Sequence, residues 1–205
     1  ASMYSTACNQ AGPCDLPFTE EKHGTFPIST DYRADNPEGM AAFSNRGPTF
    51  DQRIKPDFVA PGTFIKSVCT IEGFDGASDC STPGEYGYLD GYYTYKHGTS
   101  MATPITAGSI ALLIEHLNNI GAYDCRLAVS TVFDDCPESA LIKAIMTAGS
   151  HDLEGQYNTG GDGENGAVEK APNAHEGWGR IDLQTAVGAG FTSGIEITTS
   201  ESHSF

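Results

Sequence analysis

The segment KHGTSMATPITAGSIALLIEHL, Lys96–Leu117, is the part of the sequence that best defines the fold. Its large apolar residues recur at intervals of three and four: Ile110, Leu113, Ile114 and Leu117. This spacing predicts an amphipathic helix with one buried face. We expect the helix to begin at Thr99 or Ser100, with a hydroxyl group as its N-cap. Pro104 is compatible with this end, because the N–H that proline lacks would have bonded only to the carbonyl of Ser100.

Ser100 lies where this helix is expected to start, directly after Gly98 and Thr99. Glycine permits a tight turn there and lets a substrate approach. The helix N-terminus adds unpaired N–H groups and the positive end of the helix dipole, which both stabilise a developing negative charge. Ser100 is therefore a candidate nucleophile, although the local pattern alone fits a capping hydroxyl better. A serine nucleophile also needs a base, because its proton is too tightly held at neutral pH.

The remaining pattern predicts strands that alternate with helices. Short strands are expected within Ala41–Pro48, in DFVA and FIKSV of Arg53–Val68, and in the aromatic run Tyr92–Lys96. A second helix follows Cys136 in PESALIKAIMTA, where proline marks the start, and a turn with a short last helix is expected in Gly177–Val187. Residues 154–174 read as an acidic loop. This order predicts an α/β fold with a parallel sheet.

Composition and charge exclude several classes of protein. The 205 residues include 24 glycines and 11 prolines, which favour long loops over a helical bundle. The net charge of −16 argues against a nucleic-acid surface, which needs clustered lysine and arginine. No apolar run reaches the roughly 20 residues of a membrane span. The first residues do not resemble a signal peptide, so we expect a processed or excerpted piece of a longer protein.

Six cysteines form three close pairs along the sequence: Cys8 and Cys14, Cys69 and Cys80, and Cys125 and Cys136. Fifteen pairings are open, but local pairing is the simplest prediction, because each pair brackets a polar loop. Such a bridge would stabilise the fold by roughly 3 kcal/mol. The spacings do not fit a zinc site. Disulfides favour an oxidising setting, so we expect the secretory pathway or the extracellular space.

Four blocks of sequence occur in one order. They are FSNRGP at Phe43–Pro48, RIKPDFVAPGTFI at Arg53–Ile65, HGTSMATPITAG at His97–Gly108 and GWGRIDL at Gly177–Leu183. Together they closely resemble the C-terminal half of the catalytic domain of subtilisin-like serine proteases, the subtilases, and most of all their KP-43-like and ABC-transporter-linked members. The resemblance implies a subtilisin-like parallel sheet flanked by helices. Residues 1–190 would form the C-terminal portion of that domain, with a loop-rich segment at 1–40 and a tail at 191–205.

The resemblance also implies a role for each residue around the serine. Ser100 matches the family nucleophile, and its backbone N–H would form one arm of the oxyanion hole. Gly98 and Thr99 support this turn, with Thr99 as an auxiliary donor or cap. Met101 matches the methionine beside the nucleophile and is sensitive to oxidation; His97 belongs to the same block, adjacent to the site. The implied activity is hydrolysis of peptide bonds through an acyl-enzyme.

The catalytic residues that should precede the serine block are missing. The family's aspartate, its HGTH-type histidine motif and its oxyanion asparagine have no match here, since the segment around His23 lacks the second histidine. We expect them upstream, on the same or a separate chain, and this chain alone to be inactive. A non-catalytic fragment acting as a binding or scaffold module is the alternative. An α/β-hydrolase triad of Ser100, Asp152 and His175 is disfavoured, because Ala102 breaks the G-x-S-x-G motif.

Other features carry less weight. No cofactor is required by the implied chemistry. Asp162 and Glu164 offer oxygen atoms to a structural calcium ion, but without EF-hand spacing a solvated acidic loop is the simpler interpretation. Trp178, the only tryptophan, is predicted to be a packing anchor, with Gly177 and Gly179 in close backbone contact. The expected partners are a protein or peptide substrate and the upstream half of the protease domain.

Overall fold

The computed structural model describes residues 36–68, 88–89, 93–125, 136–158, 165–167 and 169–188. Most of the loop-rich segment at 1–40 and the tail at 191–205 therefore lie outside the described residues. The elements, in chain order, are β1 (Ile65–Val68), β2 (Tyr88–Leu89), β3 (Tyr93–Lys96), α1 (Thr99–Asn119), α2 (Ser139–Ala148), β4 (Gly155–Asn158), β5 (Asn165–Ala167) and α3 (Leu183–Gly188).

The longest helix, α1, packs against α2 and α3 and supplies half of the main hydrophobic core. The buried residues of this core are Leu113, Leu117, Ile142 and Met146. Ile110 and Ile114 complete the predicted apolar face of α1 and lie half-buried against the core. Full burial of each leucine stabilises the fold by about 2 kcal/mol. The predicted amphipathic helix is confirmed.

Both predicted shorter helices are present. α2 begins after Glu138, whose backbone is extended (φ −63°, ψ 150°). α3 has a side-chain cap, because Asp182 Oδ1 accepts the N–H of Thr185 at 3.1 Å and Oδ2 accepts its hydroxyl at 2.8 Å. Partial burial acts to raise the pKa of Asp182, but these hydrogen bonds outweigh it and hold the pKa below its usual value.

The described strands form two small antiparallel sheets. β3 is the central strand of the first sheet, between β1 and β2, and β4 pairs with β5 in the second. Parallel pairing among the described residues is limited to the bridge between Val59 and Arg180. The predicted parallel sheet is therefore not formed in this part of the chain. Pro56 and Pro61 flank the DFVA run, and neither can donate an N–H to a ladder.

Two further segments differ from the sequence-based expectation. Ala41–Pro48 contains a turn and not a strand: the N–H of Ser44 donates to the carbonyl of Ala41 at 2.9 Å, while Met40, Ala41 and Ala42 are buried. Its apolar run is too short to alternate along a strand, and small side chains bury well in a turn. The acidic loop expected at 154–174 contains the paired strands β4 and β5.

The GWGRIDL block passes between two other backbone segments. A Cβ atom at Gly177 (φ 65°) would lie 2.0 Å from the carbonyl oxygen of Pro56, and one at Gly179 (φ 107°) would lie 2.4 Å from that of His151. The predicted close backbone contact is confirmed. The prediction that Trp178 is a packing anchor is wrong, since its side chain is 40% exposed. The main chain makes the close contact here, and the Trp178 side chain stays partly exposed.

Asp57 connects this part of the chain to α2. Its carboxylate forms ion pairs with Lys55 and Lys143, and its backbone carbonyl accepts the N–H of Trp178 at 2.9 Å. Partial burial acts to raise the pKa of Asp57, but the two lysines outweigh it and hold the pKa below its usual value. Asp57 is thus a structural junction between segments far apart in sequence.

The predicted local pairing of cysteines is confirmed for Cys125 and Cys136, which form a disulfide with a Cα–Cα distance of 4.4 Å. Asn118 at the end of α1 supports this bridge, because its Oδ1 accepts the N–H of Cys125 at 2.9 Å. The other four cysteines, Cys8, Cys14, Cys69 and Cys80, lie outside the described residues. No helix within the described ranges has the length and apolar character required to cross a membrane.

Candidate active site

β3 leads through His97 and Gly98 into the N-terminus of α1. The N–H of Gly98 donates to the carbonyl of Gly62 at 2.7 Å, which connects the end of β3 to the residues ahead of β1. Gly98 has φ 140° and ψ 165°, a conformation that is essentially restricted to glycine. A Cβ atom there would approach no other atom closer than 3.8 Å. Backbone conformation, and not crowding, therefore requires glycine before Ser100.

Ser100 is the second residue of α1 and is exposed. The N-cap is Gly98, with no side-chain capping bond, so the prediction of a hydroxyl N-cap is wrong: the residue that adopts the cap conformation has no side chain. The N–H of Met101 donates to the carbonyl of Gly98 at 3.1 Å. The N–H groups of Thr99 and Ser100 precede the helical bonding pattern and lie at the positive end of the α1 dipole.

Thr99 and Pro104 affect the backbone around Ser100. The exposed Thr99 begins α1, and its carbonyl accepts the hydroxyl of Thr103 at 3.0 Å. Pro104 has no N–H to donate to the carbonyl of Ser100, as expected from the sequence. Among the described residues, no hydrogen bond to the Ser100 hydroxyl is formed. This hydroxyl therefore has an environment in which a reacting group can approach.

His97 and Met101 flank this turn, as the sequence predicted. The ring of His97 packs against Phe43, with the centroids 6.1 Å apart and the planes tilted by 43°. The Met101 sulfur lies 3.8 Å from the position that a Cβ atom on Gly98 would occupy. Both residues are half-buried. His97 joins the serine block to the Phe43–Pro48 block.

A cavity of about 330 Å³ lies beside the first two turns of α1. Ser44 and Asn45 line it together with Thr99 and Thr103. Ser100 is not part of this lining, but its neighbour Thr99 is. Sequence reasoning assigned Ser44 and Asn45 only to a strand that ends in a turn, and missed their position beside the start of α1. The sequence did contain a signal for this position, because both residues are polar and belong to a block that resembles the subtilases.

A histidine–carboxylate pair of the kind that activates serine is present elsewhere. His151 Nε2 lies 2.9 Å from Oε2 of Glu38, and Nη2 of Arg180 lies 3.1 Å from Oε1 of the same glutamate. These residues line a cavity of about 520 Å³ with Pro61, and Ser100 is not part of its lining. Glu38 thus connects the segment before Met40 to His151 and, through Arg180, to the GWGRIDL block, and none of these contacts involves Ser100.

Asp152 and His175 also have structural environments. Asp152 Oδ1 accepts the N–H of Ala171 at 2.8 Å. Partial burial, followed by the nearby positive charge of Arg46, lowers the pKa of His175. The backbone N–H of His175 donates to Oδ1 of Asn173 at 2.8 Å. Neither environment supports the α/β-hydrolase alternative.

Glu176 is a buried carboxylate that sequence reasoning missed. Its oxygens accept the N–H of Leu153 at 2.9 Å and the side-chain amide of Asn173 at 2.7 Å. Burial raises the pKa of Glu176, although both hydrogen bonds act against this change. A glutamate in a polar loop gives no sequence signal of burial, and one of its two partners, Leu153, lies 23 residues away in the sequence.

No cluster of three metal-binding side chains occurs within the described ranges. Asp162 and Glu164, which were considered for calcium, lie outside them. Calcium binding therefore stays a prediction.

Comparison with known proteins identifies the family. Residues 8–179 match the subtilase family. The serine protease/ABC transporter B family protein tagD of Dictyostelium discoideum is 29% identical over 187 residues, which are 88% of this chain and 10% of that protein. Pyrolysin of Pyrococcus furiosus is 34% identical over 135 residues, 66% of this chain and 7% of pyrolysin. Serine protease AprX of Bacillus subtilis is 42% identical over 77 residues, 37% of this chain and 16% of AprX.

The chain thus covers about a tenth of the length of tagD and less than a tenth of the length of pyrolysin. The family match covers the first three sequence blocks and the start of the fourth, together with the turn at Gly98 and the exposed Ser100. The finer KP-43-like assignment stays a prediction. This chain belongs to the subtilase family, whose fold is α/β.

Proposed function

We propose that Ser100 is the nucleophile of a serine endopeptidase. The observation that supports this most is the exposed Ser100 hydroxyl at the N-terminus of α1, behind a glycine in a conformation reserved for glycine, in a chain of the subtilase family. The unpaired backbone N–H of Ser100 acts as one arm of the oxyanion hole. The dipole of the 21-residue helix α1 adds to the stabilisation of the oxyanion.

The proposed reaction proceeds through an acyl-enzyme. The Ser100 oxygen attacks the peptide carbonyl carbon while a histidine accepts its proton, and the tetrahedral oxyanion points toward the N–H of Ser100. The same histidine then donates the proton to the leaving amine as the C–N bond breaks. Water attacks the acyl ester in the second half of the reaction and regenerates the serine.

The histidine, its aspartate partner and the asparagine of the oxyanion hole are proposed to lie upstream of this chain. Residues 1–190 then form the C-terminal portion of the peptidase domain, and the upstream half, on the same or a separate chain, is its partner. The absence of matching motifs from the sequence supports this proposal. So does the small share of each relative that the chain covers.

The surface of α1 offers further support for such a partner. Leu112 in the middle of the helix is 55% exposed. An open apolar cavity of about 700 Å³ lies between α1 and α2, lined by Ile110, Ile114 and Phe58 among others. Exposed apolar side chains and open apolar cavities occur where another part of a protein packs. Residues 1–205 produced alone are therefore expected to be inactive and of low stability.

The cellular setting is also a proposal. The disulfide between Cys125 and Cys136 is typical of proteins that fold in oxidising compartments. We therefore place the protein in the secretory pathway or outside the cell, with polypeptides as its substrates.

The test uses the full-length protein that contains this chain and a fluorophosphonate probe, which labels activated serines. We expect labelling that Ser100→Ala abolishes and Ser109→Ala leaves unchanged. Ser109 is a matched control, because it lies in the same helix and its hydroxyl donates to the carbonyl of Ile105 at 2.9 Å. A folded parent that stays unlabelled would refute the proposal and favour a binding or scaffold role.

A further inference from the structure

Phe64, the residue directly before β1, has a backbone conformation that a bulky residue rarely adopts. Its φ is 49°, in the left-handed region, where the Cβ atom crowds the backbone. The side chain is 5% exposed, and its ring packs against that of Tyr95 in β3, with the centroids 6.1 Å apart. Because a left-handed backbone costs free energy in any residue but glycine, the surrounding packing must hold Phe64 in this conformation.

Thr63, the residue before Phe64, adds a second local cost. It is fully buried, and within the described part of the chain no group forms a hydrogen bond with its Oγ1 atom. A buried hydroxyl without a partner loses the hydrogen bonds that it makes with water in the unfolded chain. Two adjacent residues that follow Gly62 are thus held at a cost in free energy. Backbone strain of this kind is common beside functional sites.

These two residues lie where the pairing of β1 with β3 goes out of register. Ile65 pairs with Lys96, so unbroken antiparallel pairing would place Thr63 opposite Gly98. The N–H of Gly98 donates instead to the carbonyl of Gly62, at 2.7 Å. The segment that leads into β1 therefore contains one residue more than the segment opposite, as in a β-bulge. The left-handed conformation ahead of β1 accommodates this extra residue.

The bulge determines how the chain enters α1. The Gly62 carbonyl holds the N–H of Gly98, which is the N-cap of α1, and Ser100 follows two residues later. A bulge bends its strand, so its shape sets the position of the Gly62 carbonyl. Loss of the Phe64 ring would let the extra residue relax, and the hydrogen-bonded Gly98 would move with it. Phe64 therefore acts on Ser100 through the backbone of both segments.

We propose that Phe64 is a positioning residue for Ser100, which holds the bulge ahead of β1 and thereby fixes the turn that carries the nucleophile. The ring of Tyr95 keeps Phe64 in place. Phe64 takes no part in the chemistry itself, so its loss reduces kcat through the orientation of Ser100. This inference rests on the proposed role of Ser100.

The experiment measures kcat and KM for a peptide substrate with the full-length enzyme, at a temperature at which circular dichroism shows each variant to be folded. Phe64→Ala is expected to lower kcat about 100-fold, the effect of a misplacement of about 1 Å, and to change KM less than twofold. Leu117→Ala is the matched control, because Leu117 is fully buried near the far end of α1. It should lower the melting temperature by a comparable amount and leave kcat unchanged.

The partner ring provides variants that do not alter Phe64. Tyr95→Ala removes the ring that packs on Phe64 and is expected to lower kcat as well, whereas Tyr95→Phe retains the ring and the wild-type kcat. A folded Tyr95→Ala enzyme with the wild-type kcat contradicts the proposed route from Phe64 to Ser100.

The backbone conformation gives an independent test. At φ 49° glycine is favoured over alanine, so Phe64→Gly should melt a few degrees higher than Phe64→Ala. Its kcat should be as low, because both variants lack the ring. A melting temperature of Phe64→Gly at or below that of Phe64→Ala overturns the inference.

The proposed function can be judged separately with the fluorophosphonate probe. If folded Phe64→Ala keeps the wild-type kcat, as Leu117→Ala does, Phe64 is a core residue alone and the inference is overturned, while labelling of Ser100 leaves the proposed function intact. A wild type that neither cleaves the peptide nor reacts with the probe refutes both.

Discussion

The replacement Gly98→Ala tests whether the turn before Ser100 depends on backbone conformation. At φ 140° and ψ 165° a residue with a side chain costs about 1–3 kcal/mol. The nearest atoms to a new Cβ are 3.8 Å away, so neighbouring groups add little to this cost. We expect the free energy of unfolding to fall by about 2 kcal/mol. Relief of the strain moves the N-terminus of α1, and kcat/KM of the full-length enzyme should drop by more than tenfold.

Gly108→Ala is the matched control for this prediction. Gly108 lies inside α1, and a Cβ atom there would meet nothing within 4 Å. Alanine should therefore stabilise the helix by about 0.5–1 kcal/mol and leave kcat/KM unchanged. Urea unfolding gives the stabilities, and peptide hydrolysis gives the rates. The reasoning fails if Gly98→Ala is as stable as the wild type, or if both variants shift stability in the same direction.

Three further predictions concern the scaffold. Gly177→Ala places a Cβ atom 2.0 Å from the Pro56 carbonyl, so it should lower the melting temperature more than Gly98→Ala does; an equal or smaller change contradicts this. Because burial raises the pKa of Glu176, the folded state binds that proton more tightly, and stability declines as pH rises from the usual glutamate pKa through the raised one. Glu176→Gln should flatten the melting temperature against pH there, and an unchanged slope refutes the assignment. Cys125→Ser with Cys136→Ser should reduce the free energy of unfolding by about 3 kcal/mol; no loss in urea unfolding contradicts it.

The helices could be predicted from the sequence because their signals are local. The apolar spacing at Ile110, Leu113, Ile114 and Leu117 fixes the buried face of α1 whatever packs against it. The two glycines around Trp178 likewise predict close backbone contact. These features depend on residues that are close together in the sequence, so a single sequence contains the information that predicts them.

Other features depend on segments that are distant in sequence, and the predictions there were wrong or absent. Glu176 is buried and accepts the N–H of Leu153, 23 residues earlier in the chain, and neither residue predicts this contact alone. Trp178 is the largest side chain of its block, yet the glycines beside it bring the main chain into the close contact, and Trp178 stays 40% exposed.

The four sequence blocks are informative together because they contact one another in space. The first block reaches the serine block through Phe43 and His97. The second reaches it through the hydrogen bond between Gly62 and Gly98, and reaches the last block through the bridge between Val59 and Arg180. A change in one block therefore alters the backbone that supports the next. For this reason a glycine–threonine–serine turn does not predict the site unless the other blocks are present too. The orientation of Ser100 therefore depends on residues from 43 to 180, while the proposed proton acceptor belongs to another part of the domain.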